Sequence, residues 1–166
     1  MSKKVVLAFS GGLDTSFCVP YLKEQGYEVH TVMVNTGGFS EEEEKAIEAR
    51  ALHLGAASHK NVNAVDTYYS KGIKYLIYGN ILKNATYPLS VSSERVFQAL
   101  EVLKHVKEIG ADAVAHGSTG AGNDQVRFDI VFEVLAPGVE IIAPVREDCF
   151  TRQYEIDFVQ QQGFDF

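Results

Sequence analysis

Short apolar runs broken by glycine-marked polar stretches recur along the chain, and they alternate between two periods. Lys4–Phe9 is a short apolar run of strand type, closed by the turn signal Ser10-Gly11-Gly12. Thr15 to Gln25 fits a helix that Gly26 stops. Glu28–Val34 alternates around Val29, Thr31 and Met33 and predicts a second strand, followed by the loop Thr36-Gly37-Gly38. Ser40 and Glu43 have the Ser-x-x-Glu spacing in which each side chain satisfies the other's backbone amide. They predict a helix running to Leu54, with Gly55 as its stop. Residues 57–62 make a weaker third strand, and a long helix to Gly79 follows.

Residues 80–92 have no period and contain Pro88, which predicts a loop. Ser93 is expected to cap a helix whose apolar face is Val96, Leu100, Leu103 and Val106. Ala113–His116 reads as a fourth strand, Gly117–Gly122 as a second glycine-rich loop and Asp124–Leu135 as a helix. Glu140–Ala143 is a fifth strand, and a last helix runs from Thr151 to Gly163. Strands alternating with helices predict an α/β fold, a parallel sheet covered on both faces, in one domain over residues 1–166. The pattern alone leaves strand order open.

Charge and composition narrow the partners. Fifteen Lys and Arg face 22 acidic residues, a net charge of −7, which argues against a nucleic-acid partner. An anionic ligand must then be held by backbone dipoles and a few well-placed cations. No window approaches the roughly 18 apolar residues of a membrane span. The apolar stretch near the N-terminus ends at Ser10, too short for a signal peptide, so a cytoplasmic location is expected. Cys18 and Cys149 lack Cys-x-x-Cys spacing and a nearby histidine cluster, so neither a disulfide nor a metal framework is supported.

Only the loops after strands one and four combine glycine with a dense polar set: Ser10 to Ser16, and Gly117 to Asp124. In open α/β sheets ligands sit beyond the carboxyl ends of strands where the strand order reverses. If strands one and four are neighbours, both loops converge on one site. Gly11 and Gly12 leave room for phosphate oxygens beside backbone amides, and the following helix offers free N–H groups and the positive end of its dipole. Ser10, Thr15 and Ser16 add hydroxyls. No lysine follows the glycines and Gly-x-Gly-x-x-Gly is absent, which excludes a Walker A loop and a dinucleotide fingerprint. Ser-Gly-Gly by itself is equally a tight strand-to-helix turn.

The longer string Ser10-Gly-Gly-Leu-Asp-Thr-Ser16 resembles the pyrophosphatase loop (PP-loop) of enzymes that cleave ATP between its α- and β-phosphates. That class implies a Rossmann-like three-layer fold with a five-stranded parallel sheet ordered 3-2-1-4-5, of the adenine nucleotide alpha hydrolase type. Ala8 to Ser16, together with His116-Gly-Ser-Thr-Gly-Ala-Gly-Asn-Asp-Gln-Val-Arg-Phe128, is similar to the two signatures of the argininosuccinate synthase family, about 100 residues apart and in order. The resemblance covers residues 3–166. It implies an ATP-dependent carbon–nitrogen ligase of arginine biosynthesis that joins citrulline to aspartate through a citrulline adenylate. ATP is then a substrate, Mg²⁺ is expected with it, and a homotetramer is implied. The family continues with a larger synthetase and oligomerisation region. The chain is therefore expected to be the N-terminal nucleotide-binding part, able to bind ATP but without turnover alone.

Carried over by position, the family implies that ATP lies on Ala8, Phe9, Ser10, Gly11, Gly12, Leu13, Asp14, Thr15 and Ser16, with Val34 and Gly117 flanking it. Thr119, Asn123 and Asp124 match aspartate contacts, and Tyr87, Ser92, Asn123 and Arg127 match citrulline contacts. No covalent or general-base residue is implied, and no metal ligand is assigned. Taken alone these residues have plainer roles. Asn123 or Asp124 can cap a helix, Arg127 can be a surface cation, Tyr87 can pack in a loop, and Ser92 can be a cap. Glu41 to Glu44 read as a solvated first turn. His116, at a strand's end facing the site, stands apart from the other four histidines. Three departures from the family pattern touch the first helix and loops: Phe9 for a common Tyr, Ala121 for a frequent Lys, and Pro20 inside the first helix. Another PP-loop enzyme, amide-forming or tRNA-thiolating, and a nucleotide-binding regulatory module without chemistry are the rival readings. The charge and the two unpaired cysteines weigh against the tRNA enzyme.

Overall fold

The computed structural model describes residues 2–164. Its strands and helices alternate: β1 (Lys4–Ala8), α1 (Leu13–Glu24), β2 (Glu28–Asn35), α2 (Glu41–His53) and β3 (Ser58–Asn63) form the first half. Then come α3 (Val65–Tyr68), a π-helical turn (Tyr69–Ile73), α4 (Lys74–Tyr78), and a hairpin of β4 (Leu82–Lys83) and β5 (Tyr87–Pro88). The remainder is α5 (Ser90–Ile109), β6 (Ala113–His116), α6 (Asp124–Leu135), β7 (Glu140–Ile142), α7 (Pro144–Glu147) and α8 (Arg152–Gln161).

The main sheet has the order β3-β2-β1-β6-β7, all pairs parallel. Counting its strands in sequence, this is the 3-2-1-4-5 order. β1 is central, and its alternation decides which layer each residue joins. Val5 and Leu7 pack with Phe17, Cys18, Val19 and Leu22 of α1, and with Ala51, Val145 and Val159. Val6 faces the other way, toward Ala99, Val102 and Val106 of α5 and Phe128 and Phe132 of α6. Both faces of the strand are therefore buried, as a continuous apolar run requires.

The Ser40–Glu43 capping box forms as expected: Ser40 Oγ accepts from the Glu43 amide at 3.3 Å, and Glu43 accepts from the Ser40 amide at 2.8 Å. Glu44 leaves the solvated turn by accepting from Asn35 Nδ2 at 2.6 Å. Other expectations need correction. α5 begins at Ser90, and Ser93 is inside it, its hydroxyl donating to the Ser90 carbonyl at 3.0 Å, so Ser93 is no cap. Residues 80–92 are not all loop, because Asn84 and Ala85 adopt left-handed φ of 54° and 58° and turn the β4–β5 hairpin. The long helix to Gly79 is interrupted by the π turn around Gly72, where a Cβ would come within 3.1 Å of the Phe97 ring. Proline has no amide to donate and is expected to bend or break a helix, yet α1 runs unbroken through Pro20.

Candidate functional site

β1 leaves the sheet at its carboxyl edge, between β2 and β6, and turns through Ser10–Gly12 into α1. The two glycines play different parts. Gly11 has φ 75°, and a Cβ on it would approach Ile47 Cγ1 to 3.0 Å. Gly12 is extended, with φ −75° and ψ 172°, and a Cβ there would meet only Ser10 Oγ at 3.6 Å. Gly12 thus keeps open space above the loop, whereas Gly11 makes the turn. No side chain among the described residues caps the N-terminus of α1, so its first-turn amides and the positive end of its dipole face that space. Thr15 Oγ1 donates to the Gly12 carbonyl at 3.2 Å and accepts from the Ser10 amide at 3.4 Å, which braces the loop from within.

The second loop meets the first because Ala8 of β1 is in register with His116 of β6. Gly117, next along, lies so close to the start of α1 that a Cβ would be 3.1 Å from both the Asp14 carbonyl carbon and the Thr15 nitrogen. Between the loops opens a cavity of about 960 Å³. That is near the upper end of the roughly 300–1,000 Å³ typical of ligand pockets. Its lining includes all of Ala8 to Thr15, together with Val34, Gly117, Thr119 and Asp124. Ser16 does not line it. That residue is fully buried beneath the loop, and its hydroxyl has no hydrogen-bond partner among the described residues.

The residues matched to citrulline and aspartate are partly gathered. Arg127 donates from Nη2 to Ser92 Oγ at 3.0 Å and from Nη1 to Asp124 Oδ1. Asp124 Oδ2 accepts from Arg95 Nε at 3.2 Å, so Ser92, Arg127, Asp124 and Arg95 form one connected chain between α5 and α6. Asn123 occupies the N-cap position of α6 without capping it through its side chain, and that side chain is exposed. Tyr87 stands apart on the hairpin, half exposed and outside the cavity lining.

Three arginines that nothing in the residue spacing marks surround the cavity: Arg50, Arg95 and Arg152. Arg50 reaches from the last turn of α2 and donates to the Gly11 carbonyl at 2.7 Å. Arg152 comes from α8, which is fastened to α1 by an aromatic cluster. Phe17 lies edge-on to Phe150 and to Phe158, each with ring centroids 5.1 Å away. Arg95 is engaged by Glu94 and Asp124; Arg50 and Arg152 give a chain of net charge −7 a local place for an anion. A further contributor is Asn35 at the end of β2. Its Oδ1 accepts from the Gly37 amide at 2.7 Å and its Nδ2 donates to the Phe39 carbonyl at 2.8 Å, shaping the loop beside Val34. Its position after a strand and before Gly37-Gly38 is the only trace of this in the sequence.

α8 also brings Glu155, 2 % exposed, against the first turn of α1. Burial, and then the nearby Asp14 carboxylate, push its carboxyl up to about 7. Glu155 Oε2 has no hydrogen-bond partner among the described residues. Burial likewise drives the Cys18 thiol well above the usual range, so it has no nucleophilic character.

Comparison with known proteins shows the family. The family model described as the arginosuccinate synthase N-terminal HUP domain matches residues 4–165. The chain is 47% identical to argininosuccinate synthase of Xylella fastidiosa over 98% of its own length, and 46% identical to that of Xanthomonas campestris over the same share. It is 46% identical over 97% of its length to the argininosuccinate synthase of the archaeon Hyperthermus butylicus. The chain spans about two fifths of the length of these relatives (41%, 42% and 40%). With two matching loops on a sheet of this order and a family match over nearly every residue, the chain belongs to the argininosuccinate synthase family, as its N-terminal HUP domain.

Proposed function

We propose that this chain binds ATP on the Ala8–Ser16 loop and forms the nucleotide side of an enzyme that joins citrulline to aspartate. The observation that carries the reading is the meeting of two glycine-rich loops over one cavity, with three arginines around it. In the proposed reaction the ureido oxygen of citrulline attacks the α-phosphorus of ATP and pyrophosphate leaves. The aspartate amine then displaces AMP to give argininosuccinate. Neither step needs an enzyme nucleophile; positioning and electrostatic stabilisation suffice.

The open side of Gly12 and the uncapped amides of α1 suit the phosphates, with Arg50 and Arg152 offsetting their charge. Val34 and Gly117 flank the nucleotide. Thr119, Asn123 and Asp124 hold aspartate. Ser92, Asn123 and Arg127 hold citrulline, Arg127 through its planar fork, with Tyr87 as the family-matched fourth contact. Among the described residues no group of three His, Cys, Asp or Glu side chains is spaced to hold a metal ion. Mg²⁺ would enter with the nucleotide and offset phosphate charge when bound. No described helix is long and apolar enough to cross a membrane.

The rest of the family's length supplies the other wall of the site, so the 166-residue chain binds ATP without sustained turnover. The test is titration calorimetry of Mg-ATP into the chain, followed by citrulline-dependent ATP–pyrophosphate exchange with and without the remaining region. A folded chain that takes up no ATP overturns the reading, as does exchange that ignores citrulline.

A further inference from the structure

The second loop lies on the surface, yet three of its residues are tied to one hydrogen-bonded network. The Ser118 amide donates to Nδ1 of His116 at 3.2 Å. An Nδ1 that accepts carries no proton, so the neutral ring has its proton on Nε2, which donates to Asp129 Oδ1 at 2.9 Å. Asp129 Oδ2 accepts from Nη1 of Arg146. The same guanidinium reaches Gln125 Oε1 at 3.4 Å, and Gln125 Nε2 donates to the Gly120 and Gly122 carbonyls at 2.9 and 3.2 Å. One connected network therefore holds residues 118, 120 and 122. Its root is an imidazole 1 % exposed, stacked on Phe128 at a ring separation of 5.5 Å.

We propose that His116, through the acceptor at Nδ1, is the positioning residue that sets the shape of the Gly117–Asn123 loop and so the grip of that loop on its ligand. The inference rests on the proposed function only for the ligand's identity as aspartate. The shape of the loop is a separate question with its own readout. Three charged groups face the ring: Asp129 from α6, and Arg146 and Glu147 from α7. Burial is the largest influence and opposes protonation; Asp129 and Glu147 favour it and Arg146 opposes it, leaving the ring below the ordinary histidine range. A proton added at Nδ1 would remove the acceptor that the Ser118 amide uses. The bond is therefore kept at neutral pH and lost in acid.

Two substitutions separate the ring's two bonds. The His116→Asn side chain carries an oxygen at the Nδ1 position and keeps the acceptor, whereas His116→Gln carries an amide nitrogen at the Nε2 position and keeps only the donor to Asp129. The experiment is amide hydrogen exchange at Ser118 by NMR, with aspartate saturation measured in the protein carrying the remaining family region. The expected result is exchange faster by ~10-fold in His116→Gln, the worth of about one hydrogen bond, with protection retained in His116→Asn. The apparent KM for aspartate rises in the first variant and not in the second, while ATP saturation moves little in either. Equal exchange in both variants, or fast exchange in the wild type, overturns the proposal. Altered exchange with unmoved aspartate saturation upholds the loop's positioning and overturns the assignment of its ligand. Should both variants fail to fold, Ser118 exchange followed in the wild type against pH decides. Protection lost as the ring protonates supports the proposal, and protection that ignores the ring's titration refutes it.

Discussion

Gly117 and Thr15 are in backbone contact across the two loops: a Cβ on Gly117 would sit 3.1 Å from the Thr15 nitrogen. The obstructing atoms are the main chain of α1's first turn, which has no rotamer by which to yield. Gly117→Ala is therefore expected to push the phosphate loop away from the second loop. Overpacking of this kind costs about 1–3 kcal/mol; where that cost falls on the nucleotide-bound loop arrangement, ATP binding weakens by ~5- to ~150-fold. Titration of Mg-ATP into the variant checks it, and wild-type affinity would show that the loops can separate without cost.

The neighbouring glycines should respond in opposite ways. Gly12→Val adds its side chain to open space, so the melting temperature should hold while nucleotide binding disappears. Gly11→Ala forces a left-handed φ onto a residue with a Cβ and presses on Ile47, so it should lose about 1–2 kcal/mol of stability. Thermal melts paired with calorimetry distinguish the two.

Glu155 makes the stability of the nucleotide-free chain depend on pH. Its carboxyl titrates at about 7 in the folded protein, above the 4.5 of an ordinary glutamate. Between those values the folded state holds a proton that the unfolded chain has released. Stability from this group is present below the window and is lost as pH rises through it. Glu155→Gln supplies a neutral donor toward Asp14 at every pH. Its melting temperature should match the wild type near about pH 5 and exceed it near about pH 8. A gap independent of pH would refute the raised carboxyl of Glu155.

Arg127 joins Ser92 to Asp124, so Arg127→Ala in the protein carrying the remaining family region should weaken citrulline far more than ATP. Leaving a buried carboxylate without its cation costs ~2–5 kcal/mol. Steady-state saturation with each substrate decides it. A shift in ATP alone would move Arg127 to the nucleotide side.

The cysteines offer a direct probe of the core. Cys149 is exposed and Cys18 is fully buried, its thiol held protonated by burial. Iodoacetamide should modify one thiol in the native chain and two after denaturation, read by mass spectrometry. Rapid native modification of Cys18 would contradict the packing of α1.

What could be read in the chain is what local chemistry writes there. The buried strand Lys4–Ala8, the Ser40–Glu43 box and the glycines of both loops each carry their signal within a few residues. Arg50, Arg95 and Arg152 carry none, because a guanidinium's role depends on which loop the fold brings beneath it. The hairpin leaves no such signal, since its turn uses Ala85 in a conformation alanine rarely adopts. The π turn at Gly72 answers to Phe97, 25 residues on by number. Strand order came from resemblance to a family, as no periodicity records which strands are neighbours.

β3, at one end of the sheet, reads Ser-His-Lys-Asn-Val-Asn, and Lys60 is engaged by Glu108. An outermost strand has unpaired backbone groups that could template the addition of another chain. This one carries a charge and several amide and hydroxyl groups, and it shows little apolar surface to reward a newcomer. The consequence concerns colloidal behaviour: concentrated protein should resist stacking into fibrils from this side, because growth there would bury a lysine and strip its water for almost no apolar return.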